Sequence, residues 1–275
     1  MIGRKINGIV GMAFLSVTGG CFQERPARDL TLFEFERSVF SQFGEDGVIE
    51  RIFQIIEPTH RFAVEFGAGD GVRLSNTRNL FLNHGWGGLL IEGDEALAKR
   101  MAEEYESNPR VATEHAWVYP GNVELLFQAQ NVPKDLDLLS IDIDSNDYYV
   151  WNVIHEYRPK VVLIEFNAEF PPPQRAVIKF HPMNYWDGST YFGASIQSLY
   201  ELGKKKGYEL VHCESHGANL FFVDSKYYSL FGMRDNTPER LYRGVKLPPD
   251  RHLPSEDDLV IEGFTIKKEF IRDLD

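Results

Sequence analysis

The sequence has few cysteines, no long apolar run and no excess of positive charge. Its two cysteines, Cys21 and Cys213, are too few for a disulfide framework or a four-thiolate zinc site, which favours a reducing compartment. A membrane-spanning helix needs about 20 consecutive apolar residues, and the sequence contains no such stretch. Acidic residues number 41 against 29 basic ones, so the formal charge of the 275-residue chain is −12. Because binding to phosphates needs a basic face, we do not expect a general nucleic-acid binder.

Composition and length are those of a globular protein. Hydrophobic residues make up 43% of the chain and charged residues 25%. The length suits one or two domains, and one α/β domain with insertions is sufficient. Near the N-terminus, Arg4 and Lys5 precede a mildly apolar run and a Gly-Gly-Cys sequence that ends at Cys21, as in an export signal. Since Thr18 stands where a lipoprotein signal prefers leucine, we expect a cytoplasmic protein with an N-terminal arm, and export is the alternative.

Short apolar runs alternate with amphipathic segments through the middle of the chain. Five strands are predicted at 61–66, 88–92, 110–118, 136–142 and 160–165, with helices at 46–57, 75–84, 95–107, 122–130, 148–157 and 195–206. Two closing strands follow at 207–213 and 218–223, as antiparallel neighbours. This alternation predicts an α/β fold: a doubly wound, mostly parallel seven-stranded sheet with helices on both faces.

One long segment interrupts this alternation. Residues 166–192 contain three consecutive prolines and a cluster of aromatic residues, which is typical of a lid or binding loop. We therefore predict an N-terminal arm at 1–36, a cofactor-binding domain at 37–224 that carries this lid insertion, and a polar C-terminal extension at 225–275.

A glycine-rich motif follows the first strand. Gly67, Gly69 and Gly71 permit a tight turn and a close approach of the backbone to a ligand. Their spacing differs from the G-x-G-x-x-G dinucleotide fingerprint. Glu65 ends the strand just before them, at the edge where open α/β sheets bind ligands. A carboxylate there suits an ammonium group better than a pyrophosphate, although a purely structural turn would show the same glycines.

A second acidic residue follows the next strand. Glu92 ends that strand, where a carboxylate can accept two hydrogen bonds from the hydroxyl groups of a ribose. Asp94, two residues later, is also a natural N-cap for the following helix. The two motifs together are more specific than either alone.

These motifs carry a family resemblance. The segment Glu65-Phe-Gly-Ala-Gly-Asp-Gly71, Glu92 after the second strand and Asp142 after the fourth resemble class I S-adenosylmethionine-dependent methyltransferases. The resemblance covers about residues 62–223 and implies the Rossmann-like methyltransferase fold. It leaves out the N-terminal arm and the C-terminal extension.

The acidic segment after the fourth strand narrows the resemblance. It is similar to the Asp-Val-Glu-Gly-x-Glu motif of the FkbM-like branch of these enzymes. Asp144 stands at the first glutamate of that motif and Asp147 at the last one, whereas Ser145 replaces the glycine.

The resemblance implies S-adenosylmethionine as the cofactor and a role for each matching residue. Glu65 would lie near the ammonium group, the glycine turn near the methionine part, Glu92 at the ribose, and Asp142 between the methionine end and the substrate. The implied cofactor-binding residues are Glu65, Gly67, Ala68, Gly69, Asp70, Glu92, Gly93, Asp94, Ala116, Trp117 and Asp142. The segment 41–46 precedes the first strand and could cover the cofactor, or could cap a helix through Ser41 or Asp46.

Methyl transfer to a hydroxyl group benefits from a base or a metal ion that lowers the hydroxyl pKa. The candidate catalytic residues are Asp142, Asp144, Glu165, Asn167 and His181. Two carboxylates and an amide oxygen would suit a divalent metal of the Mg²⁺ type, so a metal is possible. Caps and turns are the alternative role for these acids and for Asn167, and His181 could be a packed or solvated loop residue. We interpret His212 and His216 as structural.

The resulting prediction is an S-adenosylmethionine-dependent methyltransferase that acts on a hydroxyl group of a small molecule. We expect no nucleic acid and no membrane as partner, and the oligomeric state stays open. Two alternatives compete with this prediction: a nicotinamide-dependent oxidoreductase, which the G-x-G-x-G spacing and Glu65 disfavour, and a non-catalytic module that keeps the cofactor-binding fold.

Overall fold

The computed structural model describes residues 31–182, 184–244, 259–261, 264–266 and 268–274. Its strands are Phe62–Phe66 (β1), Gly87–Glu92 (β2), Val111–His115 (β3), Leu138–Ile141 (β4), Val161–Glu165 (β5), Val177–Ile178 (β6), Tyr208–Cys213 (β7), Asn219–Asp224 (β8), Leu259–Ile261 (β9), Phe264–Ile266 (β10) and Phe270–Ile271 (β11). Its α-helices are Glu45–Ile55 (α1), Arg78–Asn83 (α2), Glu95–Tyr105 (α3), Val123–Ala129 (α4), Asp147–Val153 (α5), Ile196–Lys205 (α6) and Pro238–Leu241 (α7).

The central sheet has seven strands in the order β3-β2-β1-β4-β5-β8-β7. Strands β1 to β5 run parallel, and β8 pairs antiparallel with both β5 and β7. The predicted doubly wound, mostly parallel sheet is therefore confirmed. This order brings the carboxyl ends of β1, β2, β4 and β5 to one edge, together with the turn between β7 and β8.

Both faces of the sheet are buried, which explains why its strands read as nearly continuous apolar runs. Within β1, Val64 and Phe66 pack into the hydrophobic cluster on one face, whereas Ala63 packs into the cluster on the other. The same alternation in β2 sends Leu89 to the first face and Leu90 to the second. The helices cover these two faces, so the loops at the sheet edge are left to form a site.

Two predicted helices lose three or more residues at one end in the structure, because side chains there form hydrogen bonds with the backbone. The first begins at Arg78 instead of residue 75, since the Glu65 carboxylate accepts a hydrogen bond from the Asn76 amide. The helix predicted to reach residue 157 ends at Val153, where Glu124 Oε1 accepts the amide hydrogens of residues 155 and 156.

The region 166–192 pairs and packs with the C-terminal segment of the chain. Its short strand β6 pairs antiparallel with β11 near the C-terminus. The Phe270 ring lies 4.6 Å from that of Phe170 and 5.2 Å from that of Tyr191, measured between centroids. The C-terminal segment thus packs against the region that we predict to be a lid.

The described part of the N-terminal segment also contacts the sheet. Glu36 accepts hydrogen bonds from the His212 ring of β7, at 2.9 Å, and from the amide and hydroxyl of Ser215. The signal-like pattern lies at 1–30, outside the described residues. No helix among the described residues combines the length and apolar character needed to cross a bilayer.

Candidate active site

A cavity of about 630 Å³ opens at the carboxyl edge of the sheet. The turn after β1, the ends of β4 and β5, the start of β8 and the 166–192 region form its wall. The lining residues are Gln42, Phe43, Glu65, Gly67, Ala68, Gly69, Arg73, Leu74, Ser75, Asn76, Asp142, Asp144, Glu165, Phe166, Asn167, Ala168, Glu169, Trp186, Thr190, Phe192, His216, Gly217, Ala218 and Asn219. Five of the eleven predicted cofactor-binding residues are in this lining: Glu65, Gly67, Ala68, Gly69 and Asp142.

Two glycines shape the turn after β1 for different reasons. Gly67 has a φ of +61°, and a Cβ there would lie 1.7 Å from the backbone oxygen of Asp142, so the turn touches the end of β4 directly. Gly69 has a φ of +57°, but a Cβ there would meet nothing within 4 Å. The first glycine is required by the protein itself, whereas the second leaves open space above the backbone.

Glu65 is buried and holds the chain that follows the turn. Its carboxylate accepts hydrogen bonds from the Ser75 hydroxyl at 2.8 Å, the Asn76 amide at 2.8 Å and the Thr77 hydroxyl at 2.5 Å. Burial raises the pKa of Glu65, while these three donors act in the opposite direction. Glu65 therefore fixes the cavity wall through the segment 75–77, in addition to any contact with a ligand.

Glu92 connects the ends of the first two strands. One carboxylate oxygen accepts from the Gly69 amide at 2.7 Å, and the other accepts from the Asp94 amide at 2.8 Å. Because each carboxylate oxygen has two acceptor positions, both oxygens can accept one further hydrogen bond. Glu92 is thus held in place and still able to bind a diol.

Six predicted cofactor contacts are not in the lining of the cavity. Asp70 accepts the amide hydrogens of Val72 and Arg73, and the others lie around Glu92. Asp94 caps α3 by accepting from the Leu97 amide at 2.8 Å. The Trp117 ring is 63% exposed and lies so close to Gly93 that a Cβ there would approach it to 2.7 Å. Ala116, just before Trp117, donates its amide hydrogen to the backbone oxygen of Glu92. An exposed aromatic face beside a glycine can stack on a planar ligand.

Three carboxylates converge at the ends of β4 and β5. Asp142, Asp144 and Glu165 each offer an oxygen within 4.8 Å of the others. Burial, and next the Asp144 charge, raise the pKa of Asp142 well above its usual range. Burial, and next the Asp142 charge, do the same to the pKa of Glu165. One Glu165 oxygen is buried without a hydrogen-bond partner. The cluster therefore favours protons or a bound cation.

A strained turn holds these acids together. Asp144 has a φ of +56°, in the left-handed region that costs energy for residues other than glycine. The Asp147 carboxylate, at the start of α5, accepts the amide hydrogens of Ile143 and Ser145 and so fixes the turn. Burial raises the pKa of Asp147 to about 6. Of the acids in the 142–147 segment, Asp147 holds the backbone, and Asp142 and Asp144 line the cavity.

Two of the predicted catalytic residues, Asn167 and His181, are not part of the carboxylate cluster. The Asn167 amide donates to the backbone oxygens of Thr190 and Phe192, and its own oxygen accepts from the Glu169 amide. This side chain therefore ties the 166–192 region to β5, and its oxygen, which has two acceptor positions, accepts one hydrogen bond. His181 is absent from the residues that line the cavity, although its backbone oxygen accepts from Asn146.

The segment 41–46 organises the start of α1 and reaches the cavity. The Asp46 carboxylate accepts the amide hydrogens of residues 39, 40 and 41, and the Ser41 hydroxyl accepts from the Asp46 amide, which caps α1. Gln42 and Phe43, between them, line the cavity. This cap thus places two cavity-lining side chains.

The sequence did not predict the side of the cavity formed by the β7–β8 turn. Asn219 is opposite Glu165 in the antiparallel register of β8 on β5, and its side-chain oxygen is buried without a partner. His216 lies in the turn just before β8. The usable signal was the predicted pair of antiparallel closing strands, since their connecting turn must emerge at the carboxyl edge of the sheet.

Comparisons with known proteins give only remote similarity. No protein-family profile matches the chain, and no curated protein is a match. Among solved structures, it is similar to the N-terminal domain of EvdMO1 with SAH bound, with a TM-score of 0.43, 12% identity and coverage of 66% of this chain and 80% of the other. A S-adenosylmethionine-dependent methyltransferase from Clostridium acetobutylicum gives a TM-score of 0.39 and 10% identity, with coverage of 65% and 89%. An O-methyltransferase family 2 protein from Planctomyces limnophilus, in complex with apigenin, gives 0.37 and 14%, with coverage of 62% and 52%. Likeness this remote does not transfer an activity to this chain.

Proposed function

We propose that this chain is an S-adenosylmethionine-dependent methyltransferase of the FkbM-like branch that methylates a hydroxyl group of a small molecule in the cytoplasm. The observation that carries the proposal is the open space above Gly69, bounded by the Glu92 carboxylate and continuous with a cavity lined by Asp142, Asp144 and Glu165. A cation with a diol fits these groups better than a dinucleotide with its anionic pyrophosphate.

The residues present fit the proposed cofactor. When bound, S-adenosylmethionine supplies an electrophilic methyl group on a positively charged sulfur. Glu92 can accept hydrogen bonds from the ribose hydroxyls with the free acceptor positions of its two oxygens. The exposed ring of Trp117 offers a face for the adenine. Asp142 and its neighbours offset the positive charge of the methionine end, and the turn at Gly67–Gly69 orients that end toward the cavity.

The rest of the cavity favours a compact acceptor. Phe43, Trp186 and Phe192 provide apolar surface along its wall, and Thr190 adds a buried hydroxyl without a partner. The acidic residues that line the cavity repel a phosphate backbone, so a nucleic acid is a poor candidate. A polyhydroxylated or aromatic small molecule matches this mixture of rings and polar groups.

The acidic cluster also fits a divalent cation of the Mg²⁺ type. Asp142, Asp144 and Glu165 would hold it, and the unpartnered oxygen of Asn219 is a further hard donor in the same cavity. Such an ion polarises a bound hydroxyl group. Titration with Mn²⁺, followed by electron paramagnetic resonance, tests this: Asp144→Asn weakens Mn²⁺ binding at least tenfold, whereas wild type that binds no Mn²⁺ at millimolar concentration contradicts it.

Calorimetry with S-adenosylhomocysteine tests the proposed cofactor. We expect wild type to bind it and Glu92→Ala to lose binding, because the variant removes the acceptor for the ribose. Glu95→Ala, an exposed acid at the start of α3, is the matched control and should bind like wild type. Absence of binding at millimolar cofactor would overturn the proposal, and binding of NADH instead would favour the oxidoreductase alternative.

Turnover separates the enzyme from a non-catalytic binding module. Protein that binds S-adenosylhomocysteine is incubated with methyl-tritiated cofactor and a panel of hydroxylated compounds, including catechols and methyl glycosides. Transfer of label to one of them supports the enzyme. Binding without any transfer across a broad panel and a small-molecule cell extract favours the module.

A further inference from the structure

The turn between β7 and β8 places an imidazole at the cavity. His216 lines it together with the adjoining residues 217–219. Its ring stacks on that of Phe43, with the centroids 4.6 Å apart and the planes 14° from parallel. Of the described residues that line the cavity, His216 alone carries an imidazole. The stack and the short turn hold this ring in one orientation at the wall.

A buried carboxylate supports this ring from behind. The Glu214 side chain is fully buried, and its Oε1 lies 2.7 Å from His216 Nδ1. The same oxygen accepts the His216 amide hydrogen, and Oε2 accepts from the Ala218 amide at 3.1 Å. Because an ionised carboxylate only accepts hydrogen bonds, this contact assigns the ring proton to Nδ1. Nε2 then carries a lone pair.

This arrangement is what a general base requires. The nitrogen with the lone pair belongs to a side chain at the cavity, and the other nitrogen is held by an acid that stabilises the protonated ring. The His216 side chain is 45% exposed, whereas that of Glu214 is fully buried. The cavity thus contains a proton acceptor that is separate from the clustered acids at β4 and β5.

We propose that His216 is the general base that deprotonates the acceptor hydroxyl, and that Glu214 is its positioning residue. This inference rests on the proposed function. The acceptor oxygen forms a bond to the methyl carbon as the carbon–sulfur bond breaks, and the electron pair of that bond stays on sulfur, which becomes a neutral thioether. The hydroxyl proton passes to Nε2 of His216 and later leaves to water.

Acidic residues outnumber basic ones around His216. Glu214 in the turn and Glu45 at the start of α1, which receives a hydrogen bond from Asn219, lie on the side of the protein interior. The other ionisable residues that line the cavity are Glu65, Asp142, Asp144, Glu165, Glu169 and Arg73. Arg73 is thus the single basic side chain among five acidic ones in this lining.

The protonation state can be measured without an acceptor. Long-range ¹⁵N–¹H spectra of the full chain, recorded with and without S-adenosylhomocysteine, report which nitrogen of His216 carries the proton, and His216→Gln assigns the signals. We expect a proton on Nδ1 and none on Nε2 at pH 8. A proton on Nε2 overturns the proposal whatever the cofactor experiment shows, which keeps this result separate from the proposed function.

Kinetics tests the role itself, with methyl-tritiated cofactor and the best acceptor from the panel of catechols and methyl glycosides. His216→Ala should lower kcat by about 10²-fold or more, and added imidazole should restore part of it. Binding of S-adenosylhomocysteine should stay within twofold of wild type. His155→Gln, at an exposed site away from the cavity, is the matched control. Unchanged kcat in His216→Ala overturns the proposal.

The positioning role of Glu214 is tested by a measurement that a purely structural role would leave unchanged. Removing its charge by Glu214→Gln should move the acidic limb of the pH profile of kcat/KM to lower pH, because the carboxylate stabilises the protonated imidazole and a general base is active only when deprotonated. The acceptor KM should change less than kcat. A pH profile identical to that of wild type would contradict the positioning role.

Discussion

The cavity has two acidic sides, and their carboxylates differ in how well hydrogen-bond donors of the protein satisfy them. On the side formed by β1 and β2, Glu65 and Glu92 have hydrogen-bond donors of the protein on both oxygens. On the side formed by β4 and β5, Asp142, Asp144 and Glu165 crowd within 4.8 Å of one another, and one oxygen has no partner. Acidic residues therefore hold the backbone in place on one side of the cavity and repel one another on the other side.

This difference predicts what each side contributes to stability. The satisfied side keeps its shape without a ligand, because its carboxylates stabilise the backbone that they touch. The crowded side gains stability only when protons or a cation reduce the repulsion between its charges. Substitutions on the first side should therefore lower the free energy of unfolding. Substitutions on the second side should mainly change how that free energy depends on pH and on a bound ligand.

The largest expected effect compares the two glycines of the β1 turn. Gly67→Ala would place a Cβ 1.7 Å from the backbone oxygen of Asp142, and neither backbone segment can move away easily. The residue also has a positive φ, which is unfavourable for alanine. We expect a loss of about 4 kcal/mol or more in the free energy of unfolding, or no folded protein. Gly69→Ala meets no atom and should lose only about 1 kcal/mol from its positive φ.

Urea unfolding and calorimetry measure this pair. Because the new methyl group of Gly69→Ala would occupy the space proposed for the cofactor, its affinity for S-adenosylhomocysteine should fall at least tenfold while the protein stays folded. Equal stability of the two variants would show that the β1 turn does not rest on the end of β4. Undiminished affinity of Gly69→Ala would move the cofactor away from this turn.

The two sides of the cavity differ in how far the sequence could predict them. The glycine turn, Glu65 and Glu92 follow strands whose apolar runs are unbroken, and parallel strands must end at one edge of the sheet. The fold and the clustering of strand-end acids could therefore be predicted from local patterns. The role of Glu65 as the acceptor for Ser75, Asn76 and Thr77 could not, because it depends on how the chain returns after the turn.

The placement of His216 and Asn219 depends on longer-range geometry. Both lie at the cavity because β8 inserts antiparallel between β5 and β7, with Asn219 in register with Glu165. No spacing within the sequence reports that register. Asn167 shows a similar limit: its position after β5 predicts a place at the cavity, but its hydrogen bonds to the backbone oxygens of Thr190 and Phe192 depend on how the chain returns 23 and 25 residues later.

The next comparison replaces one glutamate on each side by alanine. Glu65→Ala leaves the buried Asn76 amide and two hydroxyls without their acceptor, which should lower the free energy of unfolding by about 3 kcal/mol. Glu165→Ala removes a carboxylate that repels its neighbours, so stability at pH 7.5 should change by less than about 1 kcal/mol or increase. Urea denaturation of both variants measures the difference. A larger loss in Glu165→Ala than in Glu65→Ala would reverse the assignment of the two sides.

The smallest effect is the pH dependence of the crowded side. Asp147 has a pKa of about 6 in the folded protein, against about 3.9 in an unfolded chain. Between these values the folded state holds more protons than the unfolded state, so stability falls as the pH rises from about 4 to 6. The raised pKa values of Asp142 and Glu165 extend the fall toward neutral pH.

In the ligand-free protein, the free energy of unfolding should therefore decrease by about 2 kcal/mol between pH 5 and pH 7.5 through these groups. Glu165→Gln should flatten this slope, because it removes one titrating group and one repelling charge. Glu103→Gln, at an exposed site on α3, should keep the slope of wild type. Urea denaturation at several pH values measures it. A slope that is the same in Glu165→Gln as in wild type would mean that the pKa of this carboxyl group is the same in the folded and unfolded protein, so that the crowding at β4 and β5 does not act on it.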